Sequence, residues 1–141
     1  MENEQKEMIR KRILQELDWL RQRSNINTEL ISEGAQDYVI YHQLETSGGL
    51  KNLPAHVDVI VSVPDNYPTA LLDMPALEIG CALTPYLVGG SNPQHVIKAI
   101  NKDWRFLSFH PYSGQGSPAW NPNKHGFHDY YQHLVTWLKK I

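Results

Sequence analysis

The stretch SFHPYSGQGSPAWNP, residues 108–122, sets a His-Pro pair and a Trp-Asn-Pro triplet at the two ends of a loop of Ser, Gly and Gln. Proline fixes φ and removes a backbone donor, so both ends read as turn fixtures rather than as helix or strand interior. Trp120 carries a large apolar ring that plugs a core when it can. The loop between the landmarks holds hydroxyls and glycines but no cysteine. Gly114 and Gly116 do not make a phosphate loop, because no Gly-Lys-Ser/Thr follows them.

C-terminal to this loop, Phe127, Tyr131, Leu134, Leu138 and Ile141 recur at steps of four, three, four and three, which predicts a closing helix with Lys139 and Lys140 near its end. N-terminal to it, DWRFLSF reads as a short fourth strand, and Asn92-Pro93 reads as the start of a helix carrying Val96, Ile97 and Ile100 and ending near Asn101. ALEIGCALTPYLV reads as a third strand, reached through the proline-punctuated crossing DNYPTALLDMP. AHVDVIVSVP is the clearest strand, with Val57, Val59, Val61 and Val63 on one face and Asp58 and Ser62 on the other. ETSGGLKNLP supplies a Gly-Gly hairpin turn after DYVIYHQL, where Tyr38, Ile40, His42 and Leu44 alternate. SNIN and SEGAQD read as breakers, and Glu4 to Arg23 as an amphipathic helix with Ile9, Ile13, Leu17 and Leu20 along one face. The expected plan is α+β, a single domain over residues 1–141: an N-terminal helix, an antiparallel β-meander of three to four strands, then C-terminal helices.

Bulk properties narrow the function. With 41% hydrophobic and 20% charged residues over 141 positions, the chain has ordinary globular composition. A formal charge of −2 gives no basic field for nucleic acid. Cys81 is the only cysteine, so neither an intramolecular disulfide nor a zinc site with two or more thiolates can form, which suits a reducing compartment. The opening MENEQKEMIRKRILQEL lacks a secretory apolar block, and no membrane-length apolar run follows. The expectation is a soluble, cytoplasmic protein with neither membrane nor nucleic acid as a partner.

The order of pieces resembles the ubiquitin-conjugating enzyme (E2) fold: amphipathic helix, β-meander, Tyr67-Pro68, His110-Pro111, Trp120-Asn121-Pro122 and closing helix. YPTALLDMPALEIG, with Trp104, Ser108, His110 and Trp120, is similar to a prokaryotic branch of E2-like proteins associated with ubiquitin-like modification or antiphage systems. The resemblance spans roughly residues 30–141, through motifs of two to four residues each. It implies a UBC-like fold and partners that are a ubiquitin-like protein and an E1-like or E2-like protein. It also implies structural roles for Tyr67, Pro68, Pro111, Trp120 and Pro122, a largely structural His110, and a first helix, with Arg10 and Arg12, that helps dock an activating enzyme. The usual pattern places an asparagine after His-Pro and a cysteine before the tryptophan. Here Tyr112 stands for the asparagine and no thiol follows, whereas a thioester needs cysteine sulfur; Ser113 or Ser117 could form only a less reactive oxygen ester.

Cys81 lies in an apolar stretch, where a thiol usually packs and stays inert; as a displaced nucleophile it would need His110 or another base beside it. His110, His125, His128 and His133 fall close together with Asp129, but their spacing matches no metal signature, so neither a metal nor a cofactor is expected. Leu71, Leu72 and Met74 in the Tyr-Pro crossing, read as exposed, form a second candidate partner surface. Three functions compete: an E2-like variant without a thiol that acts by binding, a conjugating enzyme using Cys81 and His110, and an unrelated α+β enzyme with histidine acid-base chemistry. The resemblance favours the first over the second.

Overall fold

The computed structural model describes residues 2–87, 96–113 and 119–140, with side chains from residue 4 onward. Helix α1 spans Glu2–Ser24. Strands β1 (Thr28–Glu33), β2 (Gln36–Glu45) and β3 (His56–Ser62) follow, with a 3-10 turn at Gly48–Lys51 inside the β2–β3 connection. Then come β4 (Ala76–Glu78), a one-turn helix α2 (Thr84–Leu87), β5 (Val96–Ala99), β6 (Lys102–Phe106) and α3 (Phe127–Leu138). The six strands form one antiparallel sheet in the order β1-β2-β3-β4-β6-β5. The plan is α+β as expected, with an N-terminal and a C-terminal helix, but the sheet has six strands rather than three or four.

The corrections have local causes. SEGAQD is not only a breaker: it turns β1 into β2, and Thr28–Glu33 pairs with Gln36–Tyr41 along its whole length. The third strand is cut to Ala76–Glu78, and Cys81 sits in a turn held by Cys81 N–H to Glu78 O (3.0 Å) and Thr84 N–H to Cys81 O (3.1 Å). Val96–Ala99 is a strand, not a helix; two of its four residues are β-branched and pair with β6. Asn92, Pro93, Gly114, Gly116, Ser117 and Ile141 lie outside the described residues. DWRFLSF does supply a strand, Lys102–Phe106.

Each face of the sheet buries its own apolar cluster. On the helix side Val39, Tyr41 and Leu44 of β2 and Val57, Val59, Val61 and Val63 of and beyond β3 pack with Ile13, Leu17 and Leu20 of α1 and Phe127, Tyr130, Leu134 and Leu138 of α3. Val39, Tyr41 and Leu44 share a face because β2 carries an extra residue: the β2–β3 register shifts between Tyr41 and Leu44, and Gln43 takes φ 53°. On the opposite face Tyr38, Ile40, Ile60, Ala76, Ala99 and Trp104 form the second cluster. The tip of the β5–β6 hairpin, a two-residue turn with Ile100 and Asn101 at φ 48° and 61°, reaches back to β1, where the Ile100 N–H bonds the Glu33 carboxylate. Trp104 Nε1–H closes the hairpin on Ala99 O at 3.1 Å. The sheet is therefore curled, and its outer face is filled by its own chain.

Candidate functional site

The Tyr-Pro, His-Pro and Trp-x-Pro landmarks meet at the start of α3. Glu16 lies in the apolar stripe of α1, between Ile13 and Leu20, and is buried. Its Oε1 accepts from the Tyr67 hydroxyl (2.6 Å) and from Phe127 N–H (3.1 Å), while Oε2 pairs with Arg12 Nε at 2.9 Å. Arg12 donates onward to the carbonyls of Pro122 (2.6 Å) and His125 (3.0 Å) and lies over the Tyr67 ring. The Tyr67–Pro68 peptide is cis, and Pro68 O accepts from Trp120 Nε1–H at 2.9 Å. One carboxylate and one guanidinium thus join α1, the crossing and the approach to α3.

Tyr112 is the second node. Its buried ring packs edge-on to Trp120 at 4.8 Å and near His125, Tyr130 and His133, and its hydroxyl donates to Asp129. Burial first, then the Asp129 carboxylate, pushes this phenol far above its ordinary range. A bulky phenol plug therefore fills the position after His-Pro, where an amide would be needed to steady an oxyanion. Tyr67, Tyr41 and Tyr130 are raised as well, chiefly by burial.

His110 faces solvent at this node. Its Nδ1 lies 2.7 Å from Asp73 Oδ1, with the imidazole 37% and the carboxylate 47% exposed. Pro111 behind it is buried, and the Asp73 carbonyl accepts from the hydroxyl of buried Tyr130, so backbone on both sides of the pair is anchored. Phe109 stacks on Trp137 with centroids 4.9 Å apart.

Cys81 is elsewhere. His110 and Asp73 lie beyond the Ala76 end of β4, where Leu107 N–H bonds Pro75 O. Cys81 lies beyond the Glu78 end, half-buried in a cleft with Gln43, His56, Asp58 and Glu78. The fold does not bring the two sequence-predicted catalytic residues together. Of the docking candidates, Arg10 pairs with buried Asp37 through Nε to Oδ2 at 2.8 Å, and Arg12 turns inward as described. Leu72 is wholly buried rather than exposed, because it belongs to the helix-side core; Leu71 and Met74 are half-buried. The outer face of α1 exposes Met8, Leu14 and Trp19, and Arg23 covers the Trp19 ring. His125 precedes α3 and accepts Asn121 N–H at 3.0 Å, while His128, inside α3, meets Trp19 edge-on. Among the described residues no group of three or more His, Cys, Asp and Glu side chains converges as a metal cage, and no helix is long and apolar enough to cross a membrane.

Two residues of this site were not read from sequence. Glu16 left a signal, since a carboxylate three residues after Ile13 and four before Leu20 must lie in the buried stripe. Asp73 left none, because only the folded crossing carries it to His110.

Against the model of prokaryotic E2 family E, residues 14–141 match, which takes in the crossing, the His-Pro node and α3. The chain belongs to that family. No curated protein and no solved structure matches it. Membership in prokaryotic E2 family E sets aside the reading as an unrelated α+β enzyme, and the curled six-stranded sheet between two helices is compatible with an E2-like fold. For a family E chain, a role in a ubiquitin-like conjugation pathway follows.

Proposed function

We propose that residues 1–141 act as one UBC-like unit that works by binding a ubiquitin-like protein, an E1-like enzyme or an E2-like enzyme in the cytoplasm of a prokaryote, in a conjugation or antiphage pathway, without carrying the modifier as a thioester. One observation carries this reading: the only thiol of the chain stands at the opposite end of β4 from His110. A thioester requires sulfur, and the buried Tyr112 plug removes the amide donor position beside it. Exposed Leu14 with Arg10 on one flank of α1 supplies one partner surface, and Leu71 with Met74 a second.

A second reading keeps one support: Cys81 is half-buried and lines an open cleft whose wall also includes His56. Incubation with an E1-like enzyme and a ubiquitin-like protein of the same source, with ATP, separates the two. Non-covalent complex formation without a reductant-sensitive adduct is expected. An adduct that thiol reductant removes and Cys81→Ala abolishes overturns the binding reading in favour of the second.

A further inference from the structure

The His110–Asp73 pair serves the fold little. Both groups are more than a third exposed, so solvent screens their contact and it adds little to folding. Yet its parts are well placed. The Asp73 backbone is tied to Tyr130, and His110 is followed by buried Pro111 and by Tyr112, whose hydroxyl is fixed on Asp129. With the carboxylate at Nδ1, that nitrogen carries the hydrogen, and the free lone pair belongs to Nε2, on the side away from Asp73. The imidazole is 37% exposed, and Asp73 on its other side walls a surface groove with Gln36, Asp65, Leu71, Met74 and Phe106. An oriented, accessible imidazole whose ring, among the described residues, has no hydroxyl or thiol hydrogen-bonded to it is suited to deprotonate a nucleophile that arrives from outside.

We propose that His110, oriented by Asp73, is a general base that assists an amine in attacking a thioester presented by a partner protein. The inference rests on the binding reading above, which leaves the thioester on another molecule. The amine nitrogen attacks the carbonyl carbon and its proton passes to His110 Nε2. The C–N bond forms, the C–S bond breaks, and the proton moves from Nε2 to the departing sulfur. The products are an amide and a free thiol, and no oxidant or other co-reactant is consumed. Asp73 is a positioning residue, fixing the tautomer.

The test needs no partner. The 2-mercaptoethanesulfonate thioester of N-acetylglycylglycine and Nα-acetyl-lysine are the probes, and the amide is quantified by chromatography. The wild-type chain accelerates amide formation over buffer, His110→Ala loses that acceleration by on the order of 10²-fold, and added imidazole restores part of it. Asp73→Asn lowers the rate, and ¹⁵N spectra of its His110 show the hydrogen redistributed from Nδ1 towards Nε2, a change that a purely structural role does not produce. Equal rates for wild type, His110→Ala and buffer overturn the proposal, as does an unchanged tautomer and rate in Asp73→Asn. Partner binding is measured separately: binding without acceleration sinks the base and spares the binding reading, whereas failure to bind any such partner sinks both.

Discussion

The hydroxyl of Tyr67 donates to Oε1 of Glu16 at 2.6 Å, joining the Tyr-Pro crossing to the middle of α1 across 51 residues of chain. The same carboxylate holds Arg12 and the first amide of α3. Removing it leaves a half-buried guanidinium, a phenol and an amide without their acceptor. Glu16→Ala should therefore destabilise the fold by about 3–5 kcal/mol, the usual cost of breaking a buried charge pair. Glu16→Gln, which keeps one acceptor oxygen, should cost less. Urea unfolding followed by circular dichroism measures both.

Gly126 faces this carboxylate. Its backbone is extended, so the constraint is space rather than conformation: a Cβ added there would overlap the Glu16 side chain. Gly126→Ala is expected to cost roughly 1–3 kcal/mol, the usual range for overpacking. In a Glu16→Ala background the cost should shrink, and the two substitutions should couple in a double-mutant cycle. Strict additivity would show that Gly126 answers to something other than Glu16.

The buried phenols predict the alkaline limit. Burial raises Tyr41, Tyr67, Tyr112 and Tyr130, with Glu16 adding to the shift of Tyr67 and Asp129 to that of Tyr112. Unfolded tyrosine ionises near about pH 10, so above that pH the unfolded chain binds fewer protons than the native one and stability falls as pH rises. The contribution is complete below about pH 10 and is lost progressively towards the raised native values. Absorbance at the phenolate band should show these four groups ionising together with unfolding, not ahead of it.

Asp37 governs the acid side. The Arg10 hydrogen bond holds its carboxyl below the ordinary range, opposed by burial and helped by Ser32. The stability it adds is present above about pH 4, the unfolded value, and disappears as pH falls through the lowered native one. Arg10→Ala should destabilise the native chain at neutral pH by roughly 1–2 kcal/mol, near the low end for a buried carboxylate losing its partner because Arg10 itself is partly solvated. It should also flatten the acid limb of the stability profile, which pH-dependent thermal melts would register.

Ile100 occupies the left-handed region at φ 48°, where a β-branched side chain is strained. Ile100→Gly or Ile100→Asn suits this turn better and should stabilise the chain by on the order of 1 kcal/mol, visible as a higher thermal midpoint. A lower midpoint would mean that the partly exposed isoleucine earns its place by packing.

What could be read from the residues follows how strongly each segment is patterned. The valine alternation of residues 57–63 and the stripe Ile13, Leu17, Leu20 were legible because burial on one face imposes a strict period. β1 was not, since Thr28–Glu33 is at most half-buried and shows no clean alternation. Val96, Ile97 and Ile100 fit helical and strand periods equally over so short a run, and pairing with β6 decided it. For the site, the prolines and Trp120 announced the node through turn chemistry, whereas Asp73 meets His110 only because the start of β4 and the end of β6 are paired, which brings the crossing and the segment after β6 to the same place.

The second apolar cluster makes the sheet a partition between two dry rooms. Along β3, Val59, Ile60 and Val61 alternate between them, each almost completely enclosed. A slip of β3 by one residue would swap the tenants of both rooms at once, a double penalty that pins its pairing far more firmly than a single core can. Changes of side-chain size on one side, by contrast, should go unfelt on the other, so the Trp104 room can be remodelled while the His110 node stays intact.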